Sequence, residues 1–181
     1  EKAVINNVLA MEKLLPSDAK LEQQRQKAKD KKEKIPLSSE VKKFEAASLL
    51  YLKAFPKGEK AMEIRKRLAA LYYVHNDFEP ALEVFRGIIK DNPNSKDAPL
   101  AAEYILDIHN IRGDIDGFTK EAAELLKNPT IAKSPVGKEI RDNLTKVSFL
   151  KADSLSKSGK FADAGAAFEG FAKANPSSPQ A

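Results

Sequence analysis

An all-α fold is what this sequence predicts, and three observations predict it. Ala, Leu, Lys and Glu dominate, while glycine is held to 8 of 181 residues and β-branched runs are rare, which favours helices over sheets. Apolar residues recur at helical spacing in short stretches punctuated by Pro, Gly and Asn. One stretch also occurs twice: NDFEPALEVFRGIIKDNPNS at 76–95 aligns without gaps to GKFADAGAAFEGFAKANPSS at 159–178. The two match at Phe78/Phe161, Ala81/Ala164, Phe85/Phe168, Gly87/Gly170, Lys90/Lys173, Asn92/Asn175, Pro93/Pro176 and Ser95/Ser178. A copy inside one chain marks a repeat.

The clearest hairpin fixes the unit. EKAMEIRKRLAALYYV at 59–74 puts Ile64, Leu68, Leu71 and Tyr72 on one stripe, and the helix at 78–91 does the same with Ala81, Leu82, Phe85, Ile88 and Ile89. Neither can bury its apolar face alone, so the turn at His75-Asn76-Asp77 folds one onto the other. Shifting this segment by 37 places gives GDIDGFTKEAAELLKN at 113–128, preceded by a first helix at 98–111 with Leu100, Tyr104, Ile105 and Ile108 as its stripe. The next copy lies 46 places further on, because NPTIAKSPVG at 128–137 reads as an inserted loop; its hairpin is 138–158 with 161–174.

Toward the N-terminus, 38–56 reads as a second-type helix capped by Ser38 or Ser39, with Pro56 standing 37 places before Pro93. Its expected first helix, 17–34, offers only Ala19, Leu21 and Ala28, so thin packing is expected there. The organisation expected is therefore 1–16 as the second helix of a truncated repeat, 17–56 as an atypical first repeat, 57–95 and 96–129 as the next two, 130–137 as inserted loop, 138–178 as the fourth, and 179–181 as the start of a continuation. Both ends cut the pattern mid-stride, which implies a piece of a longer protein and leaves self-association through uncapped ends open.

The formal net charge of +5 is uneven: residues 17–43 carry +4, residues 44–181 only +1, and residues 1–16 balance. A nucleic-acid binder should show a basic face with aromatic platforms. RQKAKDKKEK at 25–34 has no aromatic and mixes acids with its lysines, so it reads as a solvated helix face, with a phosphate-binding or anionic-membrane patch as the weaker alternative. Cysteine is absent, which excludes disulfides, thiolate catalysis and Cys-type zinc sites. No apolar run is long enough to span a membrane and no signal peptide is present; a chain that begins at Glu1 reads as a processed or trimmed product. His75 and His109 lack the converging carboxylates or imidazoles that a metal or acid–base site needs, and glycine-rich phosphate loops and GxSxG are missing. Paired acids such as Glu121 and Glu124 read as helix surface. No catalytic residue, metal or cofactor is expected.

At this point the residues resemble the tetratricopeptide repeat. That family carries an apolar, a small and an aromatic residue on the first helix, a small, an aromatic and an apolar residue on the second, and a closing proline. The best copy supplies Leu68, Ala69, Tyr72, Ala81, Phe85, Ile88 and Pro93, and the fourth supplies Ala152, Leu155, Ala164, Phe168, Phe171 and Pro176. The third departs, with Phe118 and Ala122 exchanging volumes, and Lys151 replaces an apolar residue in the fourth. The resemblance implies an α-α superhelix, a right-handed solenoid of hairpins. The joints FPKGEKAMEI, NPNSKDAPLAAEYI and NPSSPQA are similar to the Pro-x-Ser-x-x-Ala-x-x-Ala joints of bacterial envelope proteins with slightly long repeats. These include the outer-membrane β-barrel assembly lipoprotein, the coordinator of the Tol-Pal system and gliding-motility components. It implies a periplasmic or outer-membrane associated protein, with a cytoplasmic one as the alternative.

In the resembled family the first helices line a concave groove that holds a peptide or partner helix. Carried onto this chain, the groove positions are Glu63, Lys66, Arg67, Ala70 and Tyr73; Leu100, Glu103, Tyr104, Asp107 and Asn110; and Lys146, Phe149, Asp153 and Ser156. Tyr73, Tyr104 and Phe149 would be aromatic anchors among charges of both signs. The plainer alternative is that they pack between helices. The cationic clamp for a terminal carboxylate survives only as Lys66 and Asn110. The functional expectation is a non-catalytic protein-interaction scaffold in a cell-envelope assembly; the alternative is the targeting module of a larger enzyme such as a cell-wall hydrolase.

Overall fold

Proline and its predecessor set the lengths of the helices. The clash between a proline ring and the residue before it disfavours helical backbone there outside a helix's first turn. Phe55, Asn92 and Asn175, each preceding a proline, share φ/ψ of −135/65°, −139/63° and −133/58° and end their helices. A computed structural model describes residues 1–27 and 32–176. Residues 28–31 of the basic stretch, Ser178 and the expected continuation at 179–181 lie outside the described residues.

The chain is all-helical: α1 (Lys2–Glu12), α2 (Asp18–Lys27), α3 (Ser39–Ala54), α4 (Ala61–Val74), α5 (Phe78–Asp91), α6 (Asp97–Arg112), α7 (Ile115–Leu125), α8 (Pro129–Ala132), α9 (Pro135–Lys157) and α10 (Phe161–Ala174). Among the described residues there is no strand. Two compact units divide it, residues 1–113 and 114–181.

The turns repeat as faithfully as the stops. Asn76, Gly113 and Gly159 hold φ of 53°, 68° and 76°, the left-handed conformation that Gly and Asn adopt at least cost. After α4 the amide of Asp77 donates to Tyr72 O at 2.9 Å and that of Asn76 to Tyr73 O at 3.0 Å; after α9 Lys160 donates to Leu155 O at 3.0 Å and Gly159 to Ser156 O at 3.0 Å. Both are Schellman closures, in equivalent register. The joints into α4 and α6 repeat too: Gly58 N donates to Phe55 O and Ala61 N to Gly58 O, as Ser95 N does to Asn92 O and Ala98 N to Ser95 O. Ala61 and Ala98, the alanines of those joints, are buried, as residues small enough for close helix approach.

In the first unit α3, α4, α5 and α6 pack in sequence, each on the next. The stripe Ile64, Leu68, Leu71 and Tyr72 is buried, as are Ala81, Leu82, Phe85 and Ile88. On α6 the buried face is Ala98, Ala101, Ala102, Ile105, Leu106 and Ile108; Leu100, expected in the stripe, is 48% exposed. Small residues thus carry that contact. α3 takes α1 as its main neighbour, and α2 touches α4. The physical reason is apolar content. Val4, Ile5, Val8, Met11 and Leu15 join Val41, Phe44, Ala47 and Tyr51 in one core, whereas α2 contributes Leu21 and leaves Ala19 exposed.

In the second unit α9 pairs with α10, and α7 and α8 pack on α9. Residues 128–137, expected as a loop, are largely helical. Asn128 Oδ1 accepts from the amides of Thr130 (2.8 Å) and Ile131 (3.3 Å), Ser134 Oγ accepts from Gly137 N (3.2 Å), and Pro129 and Pro135 each follow such a cap. Proline in the first turn starts helices rather than stopping them.

Candidate functional site

Consecutive residues on a helix point about 100° apart, so Tyr72 and Tyr73 serve different neighbours. Tyr72 is buried and donates to Glu45 of α3 at 2.7 Å. Tyr73 turns toward α6, where its hydroxyl donates to Asp107 Oδ2. Its ring meets Tyr104 edge-on at 4.8 Å, and Tyr104 in turn stacks on Phe85 of α5 at 4.9 Å and 8°. Tyr104 therefore fills the mouth of the α4–α5 hairpin. Burial and the bond to Asp107 push the Tyr73 phenol up to about 12.

The rest of the α4 face is held by ion pairs on either side. Lys66 Nζ lies 3.0 Å from Asp97, whose position in the first turn of α6 also suits the helix dipole. Arg67 Nε lies 3.8 Å from Glu12 of α1, and Glu63 pairs with Lys60 at 2.8 Å. Ala70 is half-buried among them, and Glu103 and Asn110 are exposed on α6. Between α1 and α4 lies a small cleft lined by Ile5, Leu9, Phe44 and Ile64 together with Glu12, Lys60, Glu63 and Arg67. Faces of α1 and α6 thus adjoin that of α4 on either side.

The basic helix lies on this face. Arg25 of α2 donates from Nη2 to Tyr73 Oη at 2.9 Å, with its guanidinium carbon 4.3 Å from the ring centroid. Beyond α2, Ile35 N donates to His75 O (2.8 Å), Asn76 Nδ2 to Glu33 O (2.9 Å), and Lys34 pairs with Asp77 at 2.6 Å. Arg25, read from sequence as part of a solvated face, is turned onto Tyr73, whereas Lys34 reaches Asp77 with its side chain still largely exposed.

In the second unit Phe149 is edge-on to Phe168 (5.7 Å) and Phe171 (5.5 Å), a packing role between α9 and α10. Asp153 pairs with Lys157 at 2.6 Å, Ser156 is half-buried, and Lys146 is exposed. These residues are assembled within their own hairpin. His75 is buried in its turn, its Nδ1 donating to Leu71 O at 2.7 Å, and His109 is buried on α6. Among the described residues no group of three or more His, Cys, Asp or Glu is placed to hold a metal, and no helix is long and apolar enough to cross a membrane.

The structure brings together Tyr73, Tyr104 and Asp107, and ties Lys66 and Arg67 to neighbours that sequence reasoning passed over. Those neighbours, together with Arg25 on Tyr73, are Glu12 and Asp97. The one available signal for Arg25 was its spacing of four from Leu21, the only buried apolar residue of α2. No protein-family model and no curated protein matches this chain.

Proposed function

We propose that this chain is a non-catalytic protein-binding scaffold, a right-handed superhelix of tetratricopeptide-like hairpins that holds a partner segment on the face of its first-type helices. The repeated caps, turns and joints support the hairpin register. The observation that carries the binding reading is the α4–α6 face, where Tyr73, Tyr104 and Asp107 converge beside the Lys66–Asp97 pair. Half-buried aromatics flanked by charges of both signs are what anchors in a peptide-binding surface consist of. The envelope assignment, periplasmic or outer-membrane associated, rests on the Pro-x-Ser-x-x-Ala joints of the sequence.

The test is affinity capture from envelope and soluble fractions of the source organism. The parent chain is compared with a Glu63→Ala/Glu103→Ala/Asn110→Ala variant, whose three positions are exposed and whose fold is verified by circular dichroism. A partner held by the parent and lost by the folded variant is the expected result. Retention of the same partner by the variant would move the binding surface elsewhere.

A further inference from the structure

The geometry points to the Tyr73–Asp107 face as a receptor for an arginine presented from a helix, with α2 as its built-in occupant and a partner helix of the same chemistry as its competitor. This rests on the scaffold reading and names the kind of partner it takes.

The chemistry at Tyr73 selects the side chain. Its hydroxyl proton is committed to Asp107, so the phenol oxygen presents lone pairs and calls for a donor; its ring face calls for a cation. Arg25 supplies both, by one hydrogen bond of 2.9 Å and one ring contact of 4.3 Å. A guanidinium is planar and weakly hydrated, and so suits this double contact better than an ammonium. The Asp107 carboxylate behind the phenol completes a donor chain that runs from cation to anion.

The occupant has little apolar anchorage. Among the described residues Leu21 is the one buried apolar side chain of α2, and Arg25 lies four residues on, on the same helical face, while Lys20, Gln23 and Gln24 are exposed. A polar helix of 10 residues is marginal on its own. Residues 33–35 are fastened separately to the α4–α5 turn, so release of α2 does not require release of that strand of chain. A partner helix with leucine and arginine spaced four apart would make the same two contacts.

The experiment follows backbone amide resonances of the full chain by NMR while a labelled-free probe is added: a synthetic Ala-rich helical peptide carrying one Leu-x-x-x-Arg pair. The receptors are the parent and a Leu21→Ala/Arg25→Ala variant, in which α2 is unseated. Expected are saturable shifts at Tyr73, Tyr104 and Asp107 in the variant at peptide concentrations at least about tenfold lower than in the parent, and none with the peptide's arginine replaced by glutamine. If the double variant loses its fold, Arg25→Gln alone keeps Leu21 seated and should show the same order of response. Shifts absent at these residues, equal in parent and variant, or indifferent to the peptide's arginine would overturn the receptor. Loss of captured partner in the Glu63/Glu103/Asn110 variant alongside absent peptide shifts would leave the scaffold reading intact and remove this one. Peptide binding without any face-dependent partner would do the reverse.

Discussion

Phe78 opens α5 and Phe161 opens α10, yet the first ring is 4% exposed and the second 73%. The two helices have the same length, the same left-handed turn before them and the same pre-proline stop after them. What differs is the company. α5 packs against both α4 and α6, and Arg112 of α6 lies over the Phe78 ring at 5.3 Å while pairing with Glu79 at 2.8 Å. α10 packs against α9, which covers Ala164 and Phe171. Local sequence therefore sets backbone register, and neighbouring helices set burial. The same residue type at the same repeat position can be core in one hairpin and surface in another.

The sharpest test of that comparison is a pair of truncations. Phe78→Ala removes a buried ring and should cost about 3–5 kcal/mol, whereas Phe161→Ala should stay within about 0.5 kcal/mol. Urea unfolding of both variants measures the difference. Equal losses would mean that the two helices are equally covered.

Alkaline titration separates the units by a different route, since every tyrosine lies in the first. Burial comes first among the causes that raise the phenols of Tyr51, Tyr72 and Tyr73, followed by their bonds to Glu1, Glu45 and Asp107. A phenol raised in the folded state keeps its proton longer there than in the unfolded chain. For Tyr73 the contribution is complete below pH 10.0 and is lost as pH rises toward about 12. Stability of the parent should fall across that window more steeply than stability of a Tyr73→Phe variant, followed by urea midpoints at successive pH values. Parallel slopes would show that the Tyr73 proton is not linked to folding.

Within the second unit the backbone is closely approached at Gly137. A Cβ there would lie 2.2 Å from Ile131 O and 2.7 Å from Ala132 O, both backbone atoms of the α8 turn. Gly137→Ala should therefore cost about 1–3 kcal/mol by forcing α8 off α9. A neutral result by thermal unfolding would show that α8 is free to shift.

How much of this was legible depended on whether the signal was local. The bounds of α5 and α10 could be read from the apolar stripe and the Asn-Pro stop, because both act within a few residues. The α1–α3 pairing could not be read from hairpin order. It required weighing the five apolar residues of one segment against the single Leu21 of the other, across an intervening helix. The helical character of 128–137 is hidden because proline marks a helix start as readily as a break, and only the capping bonds of Asn128 and Ser134 before the prolines decide which. At the candidate face, Tyr73, Tyr104 and Asp107 came from the repeat register. Arg25 did not, since a cation in a lysine-rich run carries no mark of the ring it will meet.

The smallest expected effect tests whether α10 is limited by its own helix propensity. At the position where α5 has Leu82, 2% exposed, α10 has Gly165, and a Cβ built there meets nothing within 4 Å. Gly170 is equally open, as is its counterpart Gly87 in α5. Gly→Ala in an exposed helix interior relieves backbone entropy without a steric cost, so each substitution should stabilise by about 0.5–1 kcal/mol. If burial alone distinguishes the hairpins, Gly165→Ala, Gly170→Ala and Gly87→Ala should give similar gains in thermal unfolding. A loss at Gly165 or Gly170 would mean that another helix comes close enough to α10 in solution to need a bare backbone there, and the contrast with α5 would dissolve.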